Sequence, residues 1–146
     1  MSENLEIKPW LLKKIVMPQN TDHAGVMWHG AYLGWLEEAR IDALSSVGLE
    51  YSHLSDEGFE MPVVEIKMKY LLPLMHGDQA ILKSWVSQGK GPRLHWETKF
   101  FKDSIKHLAI AKIDLVLIKK ENSVSRVFRK APLRIQEALN QLQKGP

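Results

Sequence analysis

The spacing of apolar residues divides the chain into one long helix and several strands. Between Gly30 and Val47 apolar residues recur at intervals of three and four, the repeat of a helix with a buried face. Gly48 follows, where helices commonly end on a glycine. Trp35 and Ile41 add apolar groups outside the main stripe, so we expect this helix to be covered on several sides.

A repeat of two replaces the helical repeat in the second half of the chain. From Val64 to Leu72 every second residue is apolar, and the residues between are Glu65, Lys67, Lys69 and Leu71, which predicts a strand with one buried face. The other predicted strands are Leu5–Met17, Gln79–Gln88, Leu94–Lys102, His107–Lys119 and Val124–Arg129. The gaps between the last four are too short for parallel crossovers and fit antiparallel hairpins. Residues 131–145 predict a short terminal helix that begins near Pro132.

This order of elements predicts an α+β domain in which an antiparallel β-sheet wraps around a long central helix. The chain has 146 residues, enough for one domain with a sizeable core. No linker and no internal repeat divide it. We therefore predict a single domain over residues 1–146.

Composition narrows the classes of function. The chain has no cysteine, which excludes disulfides, thiolate metal sites and cysteine nucleophiles and fits a reducing compartment. No apolar run reaches the length of a membrane span or a signal-peptide core, so we expect a cytoplasmic location and no membrane association. The net charge of +3 favours an anionic partner only weakly, and without a recognition motif we expect no nucleic-acid binding.

Ionisable residues and glycines crowd the segment NTDHAGVMWHGAYLGWLEEAR, residues 20–40, just before and into the long helix. His29 and Gly30 lie at the helix N-terminus, where unpaired backbone N–H groups stabilise negative charge. Gly25 would let the chain fold back, so that the Asp22 carboxylate and these amides face one point. That arrangement would place an acid–base group beside an oxyanion hole. The alternative from spacing alone is that Asp22 makes an Asx-turn and that the histidines are exposed loop residues.

The same segment resembles the signature of hotdog-fold proteins of the 4-hydroxybenzoyl-CoA thioesterase type. The signature runs from an aspartate through a glycine, two apolar residues and an aromatic residue into a helix with a tyrosine. The positions that fall on it are Asp22, Gly25, Val26, Trp28, His29, Tyr32, Glu37 and Arg40. The resemblance implies a hotdog fold and the hydrolysis of an acyl-CoA thioester to a free acid and CoA. It implies no cofactor, since CoA is part of the substrate.

The resemblance also implies roles for individual residues. Asp22 matches the catalytic carboxylate, which acts as nucleophile or as base for water, and the backbone N–H of His29 matches the donor that polarises the carbonyl. Glu37 or Glu38 is the alternative base, although we expect Glu37 to form an ion pair with Arg40. The predicted substrate pocket comprises Gly25, Val26, Met27, Trp28, Tyr32, Met61 and Val63.

The phosphates of CoA call for basic residues near the mouth of the site. We select Lys90 and Arg93 in the GKGPR turn, where relatives often carry basic residues, although Gly91 and Pro92 depart from their basic-basic-serine loop. The RVFRK segment adds Arg126, Arg129 and Lys130 as candidates. We predict no metal site, because the spacing of the aspartate and the histidines in residues 20–30 matches no metal motif.

Several alternatives stay open at this point. The acyl group can be aryl, naphthoyl or fatty, and the enzyme can be a 1,4-dihydroxy-2-naphthoyl-CoA hydrolase or an acyl-carrier-protein thioesterase. A different class of protein, a non-catalytic acyl-CoA-binding module, would use the same fold. The resemblance also implies a homodimer or homotetramer with the active site at the subunit interface, which would protect the open edges of the sheet.

Overall fold

The fold combines one large sheet, one small sheet and three helices. The computed structural model describes residues 7–103, 106–121, 124–127 and 131–146, with only the backbone described for 124–126. The helices are α1 (His29–Ser46), α2 (Tyr51–Asp56) and α3 (Leu133–Lys144). The strands are β1 (Trp10–Ile15), β2 (Phe59–Glu60), β3 (Val63–Tyr70), β4 (Gln79–Gln88), β5 (Arg93–Phe101), β6 (His107–Val116), β7 (Ile118–Glu121) and β8 (Val124–Val127). None of the helices within these ranges is both long and apolar enough to cross a bilayer.

The large sheet is antiparallel, with the strand order β1-β4-β5-β6-β3. Side chains alternate along β4, β5 and β6, so that one face of the sheet is buried. The long helix α1 packs on this inner face and shares a single apolar core with it, in which Tyr32, Leu44, Leu82 and Phe100 are buried. The predicted α+β fold, an antiparallel sheet around a long helix, is confirmed.

Two strand predictions need correction. Residues 5 and 6 of the predicted strand Leu5–Met17 lie outside the described residues, and over the rest of it regular pairing with β4 covers only Trp10–Ile15. The predicted strand His107–Lys119 is two strands, since the chain leaves the large sheet after Val116. Ile118 begins β7, which pairs with β2 and β8 in the small sheet. Continuous apolar character does not reveal such a change of sheet.

The edge strand β3 differs most from its prediction. The alternation predicted one buried face, but Ile66 is 42% exposed and Tyr70 is 47% exposed, on the face that continues the core. The helix α1 lies nearer β1, where Lys14 pairs with Glu38 at 2.9 Å. On the exposed side of α1, Leu33 is 49% exposed as well, beside the charged Glu37. The periodicity marks an apolar face that a single chain does not cover.

Candidate active site

Asp22 begins a loop that folds back on itself just before α1. Thr21 pairs with Met27, and the Asp22 amide donates to the Val26 carbonyl at 2.8 Å. Gly25 closes the turn with φ of +81°, in the left-handed region where glycine carries no steric penalty. The predicted reversal of the chain at Gly25 is confirmed.

The Asp22 carboxylate is fixed through one of its two oxygens. Oδ1 accepts hydrogen bonds from the amides of Ala24 at 2.8 Å and Val26 at 3.2 Å. This is the Asx-turn that the spacing gave as an alternative to an acid–base role. Oδ2 accepts no hydrogen bond within the described part of the chain, and the side chain is exposed. The two interpretations are compatible, because one oxygen orients the group and leaves the other available.

The N-terminus of α1 presents unpaired donors. Trp28 precedes the helix and its side chain makes no capping hydrogen bond. Among the described residues, the amides of His29 and Gly30 find no acceptor. These N–H groups lie at the positive end of the helix dipole, so they can stabilise an oxygen that carries negative charge.

Tyr70, at the end of β3, acts on one of these amides. Its hydroxyl donates to the His29 carbonyl at 3.0 Å, and that carbonyl belongs to the same peptide group as the Gly30 N–H. A hydrogen bond to the oxygen polarises the peptide and strengthens its N–H as a donor. Desolvation raises the pKa of Tyr70, so the hydroxyl keeps its proton at neutral pH. Sequence reasoning missed Tyr70 as a site residue, although its alternation placed it on the apolar face of β3.

A groove of about 320 Å³ opens beside this end of the helix. It includes three of the predicted pocket residues and His29, together with four residues that were not predicted. Its lining is Val26, Met27, His29, Tyr32, Tyr70, Leu71, Leu72 and Pro73. Burial raises the pKa of Tyr32, whose ring meets that of Tyr70 edge to face at 4.9 Å. The groove is therefore largely apolar, as a pocket for an acyl group would be.

Trp28, a predicted pocket residue, is not among the residues that line this groove. The far edge of its indole lies so close to Gly30 that a β-carbon at that position would overlap the ring. The indole also meets the ring of His29 edge to face, with 5.4 Å between centroids. Glycine at position 30 thus permits Trp28 to lie against the first turn of α1.

The segment after β3 supports the Asp22 loop. The amide of Met27 donates to Leu74 at 2.8 Å, and that of His76 donates to Gly25 at 2.9 Å. Asp78 ends the segment. Its carboxylate accepts a hydrogen bond from the Met75 amide and forms an ion pair with Lys102 at 3.0 Å. Desolvation would raise the pKa of Asp78, but these two partners outweigh it and lower the pKa below its usual value.

The structure does not bring Lys90 and Arg93 to Asp22 within one chain. The Asp22 loop lies at the end of the sheet where β4 begins, and the turn that holds Lys90 follows the other end of β4. Ten residues of strand separate the two, roughly 30 Å. Arg93 also pairs with Glu65 at 2.7 Å and with Asp114 at 3.0 Å. These two carboxylates balance the charge of the Arg93 guanidinium. The side chain of Lys90 is exposed to solvent.

Other predicted residues also lie apart from Asp22. Met61 is buried beside Leu94 and Leu115 in a separate cavity, and Val63 lines a different groove against α1. Arg126 lies in β8, where only the backbone is described, and Arg129 and Lys130 lie outside the described residues.

The alternative bases are on α1, more than two turns from its N-terminus. Glu37 lies 4.0 Å from Arg40, as predicted, and Glu38 pairs with Lys14. Within the described ranges, no group of three or more acidic or histidine side chains is placed to hold a metal ion.

The sequence pattern of the Thioesterase-like superfamily matches residues 16–142. A Synechocystis sp. protein with a provisional esterase name is 32% identical over 130 residues, which cover 88% of this chain and 77% of that protein. A Bacillus subtilis protein with a provisional acyl-CoA thioesterase name is 28% identical over 111 residues, 76% of this chain and 80% of that protein.

Solved structures share the fold. A 1,4-dihydroxy-2-naphthoyl-CoA thioesterase from Synechocystis superposes with a TM-score of 0.78 at 24% identity, covering 91% of this chain and 96% of that one. A Staphylococcus aureus protein solved in complex with CoA gives a TM-score of 0.82 at 18% identity, covering 96% of this chain and 88% of that one.

Substitution of Gly25 tests whether the left-handed turn holds the Asp22 loop. Gly25→Ala should lower the stability by about 1–2 kcal/mol, because alanine is strained at positive φ. No atom lies within 4 Å of the added carbon, so crowding contributes nothing. Gly25→Asn is the matched control, since asparagine tolerates this region, and it should lose less. Equal melting temperatures for the alanine variant and the original chain would contradict this account.

Proposed function

Because this chain belongs to the Thioesterase-like superfamily and is a thioester hydrolase with a hotdog fold, we propose that it hydrolyses acyl-CoA with Asp22 as the catalytic carboxylate. The observation that carries this proposal is the state of Asp22. One oxygen is held by two loop amides, and the other is unpaired in a loop that leads directly into the unpaired amides of α1.

The chemistry of a thioester fits this small set of groups. In the base mechanism, Asp22 Oδ2 takes a proton from water as the water oxygen attacks the carbonyl carbon. The carbonyl oxygen becomes negative and accepts hydrogen bonds from the amides of His29 and Gly30. The intermediate then collapses, and CoA leaves as a thiolate. A thiol of pKa near 8.5 leaves with little need for a general acid.

The alternative mechanism uses the same atoms in a different order. Asp22 Oδ2 attacks the carbonyl carbon, expels the thiolate and forms a mixed anhydride, which water then hydrolyses. Both routes need the same oxyanion stabilisation.

The acyl group fits the groove beside α1. Val26, Met27 and Leu72 supply apolar contacts, and Tyr32 and Tyr70 supply ring edges. This lining suits an aromatic or an aliphatic acyl group, so 1,4-dihydroxy-2-naphthoyl-CoA stays a candidate, as does an acyl group carried on a carrier protein. A non-catalytic acyl-CoA-binding module is less favoured, because binding alone would not use the unpaired carboxylate oxygen.

We propose a homodimer formed through β3. The free edge of this strand and its exposed apolar face lie beside the exposed Leu33 of α1. The other edge of the sheet lacks that combination, because Trp10 and Lys14 of β1 contact α3 and α1. Antiparallel pairing of two β3 strands would continue the sheet and cover both surfaces. Pairing of two such dimers into a homotetramer stays open.

The dimer also bears on the CoA phosphates. Two-fold pairing of β3 reverses the partner, so the β4–β5 turn of the partner lies toward the end of the sheet that holds Asp22. Lys90 of the partner subunit then becomes the candidate for the CoA phosphates. Arg93 is the weaker candidate, since Glu65 and Asp114 already occupy its guanidinium.

Asp22→Asn tests the catalytic carboxylate. Turnover of acyl-CoA should fall by about 10²–10⁴-fold, because the base or nucleophile is lost. The melting temperature should stay nearly unchanged, because the asparagine oxygen still accepts both loop hydrogen bonds. Asp42→Asn, the same change at an exposed aspartate of α1, is the control and should keep full activity. If the asparagine variant stays active, Asp22 is not the catalytic group and Glu37 becomes the next residue to test.

Tyr70→Phe tests the polarised amide. Removing the hydroxyl should lower kcat by about 2–12-fold, the value of one hydrogen bond, while KM changes little because the ring remains. The carbonyl stretch of a bound, non-hydrolysable thioester analogue should move toward its frequency in water. Tyr51→Phe, at an exposed tyrosine of α2, is the control. An unaltered kcat and an unaltered carbonyl frequency would remove Tyr70 from the mechanism.

The dimer is tested by sedimentation of Ile66→Lys, which places a charge on the exposed inner face of β3. This variant should sediment as one 16.8 kDa chain, keep its circular dichroism spectrum and lose activity. Leu11→Lys places the same charge on the exposed edge strand at the other side of the sheet and should stay dimeric and active. A fully active single chain would refute the shared site.

A further inference from the structure

The outer face of the large sheet, away from α1, carries lysines on all five strands. Each lysine lies between residues that point to the inner face, so its side chain points outward. We call this set the lysine face: Lys13, Lys67, Lys69, Lys83, Lys99 and Lys112.

Two pairs of these lysines lie directly opposite each other on neighbouring strands. Lys83 is the register partner of Lys99, and Lys67 is the register partner of Lys112. Like charges in this arrangement destabilise a sheet. Within the described ranges, none of the six lysines forms an ion pair, unlike Lys14, Lys102 and Lys120. Glu97 is the second register partner of Lys112 and offsets part of this repulsion, but the face keeps an excess of positive charge that suits an anionic partner.

The chemistry of the lysine face selects among anionic partners. A second copy of the same face is excluded by repulsion between equal charges. Stacking of nucleic-acid bases is disfavoured, because Lys83 Nζ lies 4.7 Å from the centre of the Phe101 ring and Lys99 Nζ lies 5.8 Å from that of Trp85. Both aromatic rings are thus occupied. Separate ammonium groups, each a point charge on a flexible stem, suit carboxylates distributed over a protein surface.

The position of the lysine face relates it to the candidate active site. Lys69 directly precedes Tyr70, whose ring lines the groove on the opposite face of β3. Lys69, Lys99 and Lys83 lie in one row across β3, β6, β5 and β4, with Ile110 between the first two. Beyond this row the chain leaves β3 at Leu71, at the mouth of the groove. A partner bound to the row lies next to the entrance for the acyl group.

From this arrangement we propose that the lysine face binds the acidic surface of an acyl carrier protein, which delivers its thioester to the groove around the end of β3. This inference rests on the proposed thioester hydrolysis and names the carrier that supplies its substrate. Charge attraction of this kind raises the rate of association and depends on salt.

The test uses the full chain with Lys13→Glu and Lys83→Glu combined. Lys83→Glu turns its like-charge pair with Lys99 into a pair of opposite charges, and Lys13 lies opposite the uncharged Ile81, so the melting temperature should change little. With an acyl carrier protein as donor, kcat/KM should fall about tenfold or more at low salt. With the same acyl group on CoA, kcat/KM should stay unchanged. Lys8→Glu combined with Lys144→Glu makes the same change in charge near the chain ends and should affect neither substrate.

The outcomes separate this inference from the proposed function. If the carrier-bound and CoA-bound substrates are unaffected, or fall equally, the docking inference is wrong while thioester hydrolysis stands. If the lysine variant instead loses binding to anionic vesicles or to RNA and keeps its carrier kinetics, the face serves another partner and the inference is also wrong. Failure of the unsubstituted chain to hydrolyse either donor overturns the proposed function itself.

Discussion

Burial of α1 is the constraint on which the rest of the structure depends. The helix is apolar on most of its circumference, so a layer on one side cannot cover it. Five strands curl across one side, and Tyr32, Trp35 and Leu36 enter the shared core. Leu33 and the inner face of β3 are left exposed in the single chain. The same demand for coverage that shapes the sheet therefore creates the surface through which we propose that two chains meet.

Burial of α1 also decides where reactive groups can be. A helix held in a core has its unpaired amides fixed in direction at its N-terminus. That loop is held by the left-handed turn at Gly25 and by hydrogen bonds to the segment closed by Asp78. Asp22 thus occupies a loop with little freedom. The two loop amides bond to Oδ1 of its carboxylate and hold the group in place, which leaves Oδ2 unpaired.

The parts predicted from the sequence are those whose determinants are local. The period of α1 and the turn at Gly25 each lie within one short segment, so spacing and glycine chemistry suffice. Tyr70 reaches His29 across forty-one residues, through the pairing of β3 with the rest of the sheet. Arg93 meets Glu65 for the same reason. A pattern along the chain does not show which strands become neighbours. Sequence reasoning therefore selected Arg93 for the CoA phosphates without its ion pair to Glu65.

The two faces of β3 show how one short strand can serve two purposes. Ile66 and Tyr70 face the helix side, where the proposed dimer contact and the groove lie, and Lys67 and Lys69 face outward. Because successive side chains of a strand point to opposite faces, a shift of one residue in pairing would exchange the two sets. It would place ammonium groups in the apolar groove and take the Tyr70 hydroxyl from the His29 carbonyl. The register of β3 against β6 therefore controls the groove, the donor strength of the Gly30 amide and the charge of the outer face together.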